Sequence, residues 1–469
     1  MFTIDFQHPV HIYFIGIGGI SMSGLAKVLC YAGFPVSGSD SKKTDLTTRL
    51  EQDGMTIHIG QRASNITDDI ELVVYTAAIH PDNPEYAAAV EKKIPMLSRA
   101  ELLGQIMKNY KHAIAVSGTH GKTTTTSMLS HVLLEAQKDP TISVGGILPI
   151  INGNIRVGSS EYFLTEACEY TNSFLHFYPR ISIILNIEED HMDFFKDLAD
   201  IRNSFHLFAQ RIPQDGVLIL NGDIDHPEEI TENVTGKILT YEIADSGKSS
   251  ACQYYTDEIT YDAFAHPTFS VFENMDGTPH SLGKITLNVT GRHNVSNALA
   301  VIAAARSLSL DFETIRNGLL AFSGTDRRFQ KKGMLGSITI MDDYAHHPTE
   351  IRATLTTAEK YPHNRILCVF QPHTYSRTKA FFEEFAKALS LADIVYLADI
   401  YAARETDTLG VSSKQLAEAI EKLGTKAYYF SSFDEIENDL LKTAEDGDLI
   451  LTMGAGDVYQ IGDSLLGNK

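Results

Sequence analysis

The stretch Ala113-Ile-Ala-Val-Ser-Gly-Thr-His-Gly-Lys-Thr-Thr-Thr-Thr126, continued by Ser127-Met-Leu-Ser-His-Val-Leu-Leu134, decides the fold. Ala113 to Val116 is a short apolar run with the length of a buried strand. It runs into Gly118-Thr119-His120-Gly121-Lys122-Thr123-Thr124, and apolar residues at helical spacing follow (Met128, Leu129, Val132, Leu133). Strand, glycine loop, Lys-Thr and helix is the layout of a phosphate cradle. The loop amides and the helix N-terminus face an anion, Lys122 supplies a point charge, and the Thr123 hydroxyl can hold Mg²⁺. The usual pattern has four residues between its glycines. Here two separate Gly118 from Gly121, and Val116 stands where the first glycine would be. An ordinary strand-to-helix turn is the alternative, but a lysine followed by four threonines at a helix start has little structural purpose.

The chain has 469 residues, enough for about three domains on the usual prior. Its net charge of −21 argues against nucleic acid as a partner, because a phosphate backbone needs a basic face. Small phosphorylated ligands remain open to it. Cys30, Cys168, Cys252 and Cys368 lie far apart without a CxxC pair, which favours a reducing compartment and argues against a structural zinc site. No apolar run reaches transmembrane length, and the N-terminus lacks a basic region before its apolar stretch. A cytoplasmic protein without membrane insertion is expected.

Outward from the cradle, the pattern of alternating strand and helix extends in both directions. Upstream, His11 to Ile15 reads as a strand, Gly16 to Gly24 as a loop and Leu25 to Tyr31 as a helix; further strands are expected at Pro35 to Asp40 and Leu72 to Thr76. Downstream, strands are expected at Tyr162 to Thr165, Ile181 to Leu185 and Gly216 to Asn221. A small antiparallel insertion is expected between about Lys237 and Val289, then a buried helix from Asn294 to Leu308. From Ser337 on, strand and helix alternate to Thr452, including one helix from Thr378 to Leu391. That is a doubly wound unit, whose ligands sit beyond the carboxyl ends of the strands. The fold class is therefore α/β in three domains: a Rossmann-like domain over residues 1–109, a central P-loop ATPase over 110–324 with a mostly parallel sheet plus a small antiparallel sheet, and a second Rossmann-like domain over 325–469.

Several motifs sit at strand exits. Gly16-x-Gly18-x-x-Ser21, with Asp40 some twenty residues on, is close to the dinucleotide fingerprint but has serine for its third glycine. It fits an NAD dehydrogenase or a site for another nucleotide diphosphate equally well. Glu166 and Glu169 end one strand and can hold a metal beside Lys122, or be solvated. Glu188-Glu189-Asp190-His191 ends the next and offers oxygen ligands plus one imidazole for Mg²⁺ or Mn²⁺. Arg327-Arg328 lies at the second boundary, as a phosphate clamp or a linker salt bridge. Arg377, four residues after His373, is a candidate fork for a carboxylate or a surface charge.

Taken in order, GIGGISMSGLA at 16–26, GTHGKTTTT at 118–126, NIEEDHMD at 186–193, GRHNVSNALA at 291–300, SGTDRRFQ at 323–330, DDYAHHPTE at 342–350, HTYSRT at 373–378 and MGAGD at 453–457 resemble the Mur ligase family, the ATP-dependent muramyl ligases of peptidoglycan assembly. The resemblance covers nearly the whole chain and is nearest to the branch that adds L-alanine to UDP-N-acetylmuramate. It implies that Gly16, Gly18, Gly19, Ser21, Ser39 and Asp40 bind the UDP-sugar rather than NAD. It implies ATP on Gly118, Thr119, His120, Gly121, Lys122, Thr123 and Thr124, with Asn294 and Asn297 near the adenine and Arg327 and Asp343 reaching the nucleotide from the hinge and third domain. Thr123, Glu166 and His191 would be the ligands of Mg²⁺ (or Mn²⁺). Lys122, Glu166, His191, His347 and Arg377 would be catalytic, with His373 and Arg377 binding the amino acid. A monomer or weak homodimer is implied.

The chain departs from the family pattern at Cys168 and Tyr170, where alanine-adding members commonly carry Asp and Ser in Glu-Ala-Asp-Glu-Ser-Asp. Sister ligases carry a carbamylated lysine some fifteen residues past the metal histidine. That place falls near His206, without a lysine, and no carbamate is expected.

Overall fold

The computed structural model describes all residues except 1, 77, 245, 249, 404, 408 and 469, and its strands form three sheets. The first sheet is parallel, in the order Thr56–Ile59, Val36–Asp40, Ile12–Ile15, Leu72–Tyr75, Met96–Ser98. Ile12–Ile15 is buried along its whole length, as a central strand must be when helices cover both faces. The helix after the glycine loop is Ile20–Tyr31, beginning five residues before Leu25, because Ser21 to Gly24 already have helical geometry.

Among the described residues, the central sheet has eleven strands. Its parallel core runs Lys237–Ile243, Val217–Asn221, Ile181–Ile184, His112–Ser117, Tyr162–Glu166, Thr141–Leu148. The expected antiparallel strands are present, but they extend this sheet instead of forming a separate one. Lys237–Ile243 and Tyr254–Thr256 still pair in parallel; Tyr254–Thr256 then pairs antiparallel with Pro267–Met275, as do the other strands from Ile259 to Thr286 with one another and the short Gly153–Arg156 with Thr141–Leu148. Pro267–Met275 alternates buried and half-buried residues, the pattern of a strand covered on one face, which is the same in an extension as in a separate sheet. The helix Arg292–Ser307 packs against Lys122–Glu135 and the strands Val217–Asn221 and Lys237–Ile243, with an unbroken buried run from Asn297 to Ala305.

The third sheet runs Gln330–Leu335, Ile338–Asp343, Leu449–Met453, Ile366–Phe370, Ile394–Leu397, Lys426–Tyr429, parallel except for its first, edge strand. The single helix expected from Thr378 to Leu391 is two, Tyr375–Ala380 and Phe382–Leu389. Phe381 leaves helical geometry between them and sets its ring 4.8 Å from that of His347.

The first two sheets share one hydrophobic core: Phe14, Leu25 and Leu103 belong to the same cluster as Ala115, Phe163, Phe174 and Phe205. Gly104 makes this seam tight, since a Cβ there would lie 1.9 Å from the His176 carbonyl oxygen. The third sheet keeps its own cores, one on each face. It meets the central domain through polar contacts, including Arg377 with Asp190, Thr349 with Glu188 and His120 with Glu350. A seam of charges and hydroxyls can be rehydrated at little cost, whereas a shared apolar core cannot. Separating the third domain would therefore expose less apolar surface than separating the first two.

Candidate active site

The loop Gly118–Gly121 joins the strand His112–Ser117 to the helix Lys122–Glu135 at the carboxyl edge of the central sheet. Gly121 caps that helix at φ +84°, a left-handed conformation that favours glycine. The Asn186 side chain braces the loop, accepting from the His120 amide (2.7 Å) and donating to the His120 carbonyl (3.1 Å). Lys122 folds back over the loop: Nζ donates to the Gly118 and Thr119 carbonyls and lies 3.0 Å from Glu169 Oε2. Burial opposes this ammonium, but Glu169, with Cys168 and Glu166, outweighs it and holds Lys122 charged. Of the four threonines, only two reach the site. Thr123 bonds Glu166 and Thr124 lines the adjoining cavity, while Thr125 and Thr126 are fully buried in the core and have a structural purpose after all.

Thr123 Oγ1 donates to Glu166 Oε2 at 3.1 Å, and Glu166 Oε1 accepts from the Gly145 amide. Burial raises the Glu166 carboxyl despite these bonds and the Lys122 charge. A hydroxyl and a carboxylate beside a phosphate cradle are hard oxygen donors, the set a hexacoordinate divalent cation takes. His191 stands apart from that pair. Its Nε2 is 3.8 Å from Glu169 Oε1 and 3.8 Å from Asp190 Oδ2, and its ring lies 4.5 Å from that of Tyr170. Tyr170, a departure from the family pattern, thus backs His191 and donates to Asp193 at 2.7 Å.

A cavity of about 250 Å³ opens beside the loop, lined by His120, Gly121, Thr124, Asn294, Asn297 and Asp343 among others. Asn297 donates to Asn294 Oδ1 at 3.1 Å. Asp343 accepts from the Phe329 and Ala345 amides, both at 2.7 Å, and burial pushes its carboxyl up to about 6 although Arg328 pulls the other way. The two hinge arginines have different surroundings. Arg328 lines this cavity. Arg327 is held by Asp342 (3.1 Å) and the Gly454 carbonyl (2.6 Å), between the rings of Tyr344 and Tyr459.

On the first domain, the amides of Gly16 and Ile17 both donate to the Ser39 carbonyl at 2.9 Å, and Gly18 donates to Asp40 Oδ2 at 2.9 Å. Ser39 is fully buried and its hydroxyl bonds Glu85, so it supports the loop from behind. Gly19 caps the helix whose first turn holds Ser21, and Ser21 accepts from Arg99 Nη1 at 3.1 Å. Arg99 was not anticipated: one arginine opening a polar helix carries no signal until folding sets it beside Ser21. Ile20 and Ser23 of this helix line a cleft of about 740 Å³ together with Thr123, Gly145 and Glu166 of the central domain and Arg327, Lys332 and Tyr344 of the third.

His347, His373 and Arg377 of the third domain gather on the other side of the loop after Ile181–Ile184. Arg377 sets Nε and Nη2 at 3.1 and 2.8 Å from Asp190 Oδ1, and its Nη1 is 3.1 Å from His373 Nδ1. Burial opposes the Asp190 charge, but Arg377, His191 and His346 together outweigh it and hold the carboxyl well below the usual range. Burial and the Arg377 charge push His373 down to about 4. His347 bonds the Glu189 carbonyl at 3.0 Å. The acidic run Glu188-Glu189-Asp190 also binds the third domain. Glu350 was also missed: it accepts from His120 Nδ1 at 3.2 Å.

Comparison with known proteins places the same three parts in the same order. Residues 11–111 match the model described as Mur ligase family, catalytic domain, residues 116–305 the Mur ligase middle domain, and residues 327–456 the Mur ligase, glutamate ligase domain. A curated protein of Agathobacter rectalis named UDP-N-acetylmuramate–L-alanine ligase is 59% identical over 466 residues, 99% of this chain and 100% of the relative. One of the same name from Clostridium botulinum is 51% identical, covering 97% and 96%. The crystal structure of a UDP-N-acetylmuramate-alanine ligase from Thermotoga maritima superposes with a TM-score of 0.77 at 31% identity, over 97% of this chain and 98% of that one. A murein peptide ligase from Psychrobacter arcticus gives 0.67 at 27%, covering 98% of each. With three sheets in this order, a lysine cradle at the centre and full-length likeness to several members, the chain belongs to the Mur ligase family.

Proposed function

We propose that this chain joins L-alanine to the lactyl carboxylate of UDP-N-acetylmuramate, with ATP giving ADP and phosphate, in peptidoglycan precursor synthesis. The carrying observation is the cleft where the first-domain helix, Thr123 with Glu166, and the third-domain hinge converge, with the Arg377–His373 pair nearby. The Gly16–Ser21 loop would take the diphosphate of the sugar nucleotide, and the cavity at Asn294 and Asn297 the adenine. The working units are residues 1–109, 110–324 and 325–469, a division supported by the three sheets. We read the enzyme as cytoplasmic, a monomer or weak homodimer; all four cysteines are free, and no helix among the described residues is long and apolar enough to cross a membrane.

A carboxylate does not condense with an amine in water, because oxide is a poor leaving group. The lactyl carboxylate oxygen attacks the ATP γ-phosphorus, the bond to the β-phosphate oxygen breaks, and ADP leaves. The alanine amine then attacks the acyl carbon of the resulting acyl phosphate, loses a proton, and expels inorganic phosphate. Lys122, released from Glu169, stabilises charge on the phosphoryl group in transfer. Thr123 and Glu166 would hold Mg²⁺, with His191 joining if the Glu169 side closes; the ion supplies charge neutralisation at the phosphates. Arg377 would fix the alanine carboxylate so that the neutral amine faces the acyl carbon. The polar seam would shut water away from the acyl phosphate. A test is product analysis with alanine against an alanyl-glutamyl-diaminopimelate tripeptide, since the murein peptide ligase fold is also similar: the alanyl sugar nucleotide supports this reading, and peptide transfer alone refutes it.

A further inference from the structure

His120, Glu188 and His347 form a cluster to which the reaction steps above assign no role, although the family resemblance implies ATP contact for His120 and a catalytic part for His347. They come from three places: the cradle loop, the loop after Ile181–Ile184, and the residue that caps the helix Pro348–Ala358. One ligand atom from each lies within 4.8 Å of the others. The two imidazole centroids are 4.7 Å apart.

His120 is oriented as a metal-binding histidine is. Its Nδ1 faces Glu350 Oε1 at 3.2 Å, which leaves Nε2 aimed into the cluster. That Nε2 is buried without a hydrogen-bond partner, 3.6 Å from Glu188 Oε2. A carboxylate on one imidazole nitrogen and an ion on the other is the usual outer arrangement of a histidine ligand. Thr349 Oγ1 holds Glu188 Oε2 at 2.6 Å, and the Thr349 amide meets His347 Nδ1 at 3.3 Å, leaving His347 Nε2 on the Glu189 carbonyl.

The geometry points to a site for a Zn²⁺-class transition ion, held by His120, Glu188 and His347 across the seam between the central and third domains. Two imidazoles and one carboxylate select Zn²⁺ or Co²⁺ over Mg²⁺, which prefers an all-oxygen shell. The site is thereby chemically separate from the oxygen donors at Thr123 and Glu166. Metal–nitrogen bonds of about 2.0–2.1 Å need donor atoms roughly 3.3 Å apart in a tetrahedron, closer than they stand here. Two ligands belong to the central domain and one to the third, so the ion draws the third domain inward, and His347 exchanges the Glu189 carbonyl for it. The ion acts as a clamp on the closed form. The site stands on its own whether or not the ligase reading holds.

The test is metal binding by the full chain, with Co²⁺ as the visible probe and saturating Mg²⁺ present. One Co²⁺ per chain with the intense absorption of four-coordinate cobalt is expected. Glu188→Gln and His347→Gln should abolish that band, and Glu350→Gln should weaken binding about 10–100-fold through the lost second partner of His120. His191→Gln should leave it unchanged, and far-UV circular dichroism confirms that each variant folds. No retained Co²⁺ would overturn the proposal, leaving His120 as a cation bridging two carboxylates. So would a band lost in His191→Gln and kept in His347→Gln.

Discussion

Arg377 and Asp190 lie on different domains and form a nearly closed pair, with side chains 10% and 8% exposed and Nη2 2.8 Å from Oδ1. Asp190 Oδ1 also accepts from the His191 amide at 2.7 Å, so the carboxylate is fixed by the central domain before Arg377 arrives. Removing one partner of a buried pair leaves an unpaired charge, a penalty of about 3–5 kcal/mol in closed interiors. This protein can avoid that penalty by opening its polar seam. Asp190→Asn and Arg377→Gln are therefore each expected to increase the radius of gyration of the ligand-free protein in small-angle scattering. An unchanged radius in both would show that the pair does not hold the domain closed.

Lys122 rests on Glu169 and two loop carbonyls, a position from which it must turn to meet a phosphate. Lys122→Ala should lower kcat by about 10²–10³-fold, as loss of one preorganised charge-stabilising group does. Phosphate release within threefold of the unaltered enzyme would remove Lys122 from the chemistry.

In the metal-free protein His120 gives a pH dependence with a defined sign. Burial opposes its charge, yet Glu188 and Glu350 outweigh this and raise it to about 9 from 6.5. The folded state then binds more protons than the unfolded state between those values. The stabilisation, up to about 3 kcal/mol, is complete below pH 6.5 and lost as pH rises through 9. The melting temperature of the ligand-free protein should fall across that window, and His120→Asn should flatten the slope. An equal slope in the variant would contradict the assignment.

Gly104 tests the seam that should not move. Alanine is favoured over glycine in a helix by about 1 kcal/mol, but here its Cβ would meet a backbone carbonyl that cannot turn away. Gly104→Ala is expected to destabilise by about 1–3 kcal/mol in urea unfolding. A stabilised variant would mean that the first domain is loosely docked.

These contacts also show how much was legible in the sequence. The strands Tyr162–Glu166 and Ile181–Ile184 lie within one residue of the runs Tyr162 to Thr165 and Ile181 to Leu185 read for them, because a strand buried on both faces writes itself as a continuous run. Thr141–Leu148 was missed, since Gly145 and Gly146 break its pattern where the chain passes Glu166. In the site, the residues of the cradle loop were readable because phosphate binding fixes residue types at fixed spacing. The roles of Glu169, Asp190 and Glu350 were not. Each is a carboxylate whose partner lies on another element, 47, 187 and 230 residues away, and only the fold brings the charges together.

The central claim is that alanine, and not a preassembled peptide, draws phosphate from ATP on this sugar nucleotide. The direct measurement is phosphate release with ATP, Mg²⁺ and UDP-N-acetylmuramate, run without amine, with L-alanine and with the tripeptide. The account predicts release that depends on both the sugar nucleotide and L-alanine, with the tripeptide near background. No stimulation by L-alanine would contradict it.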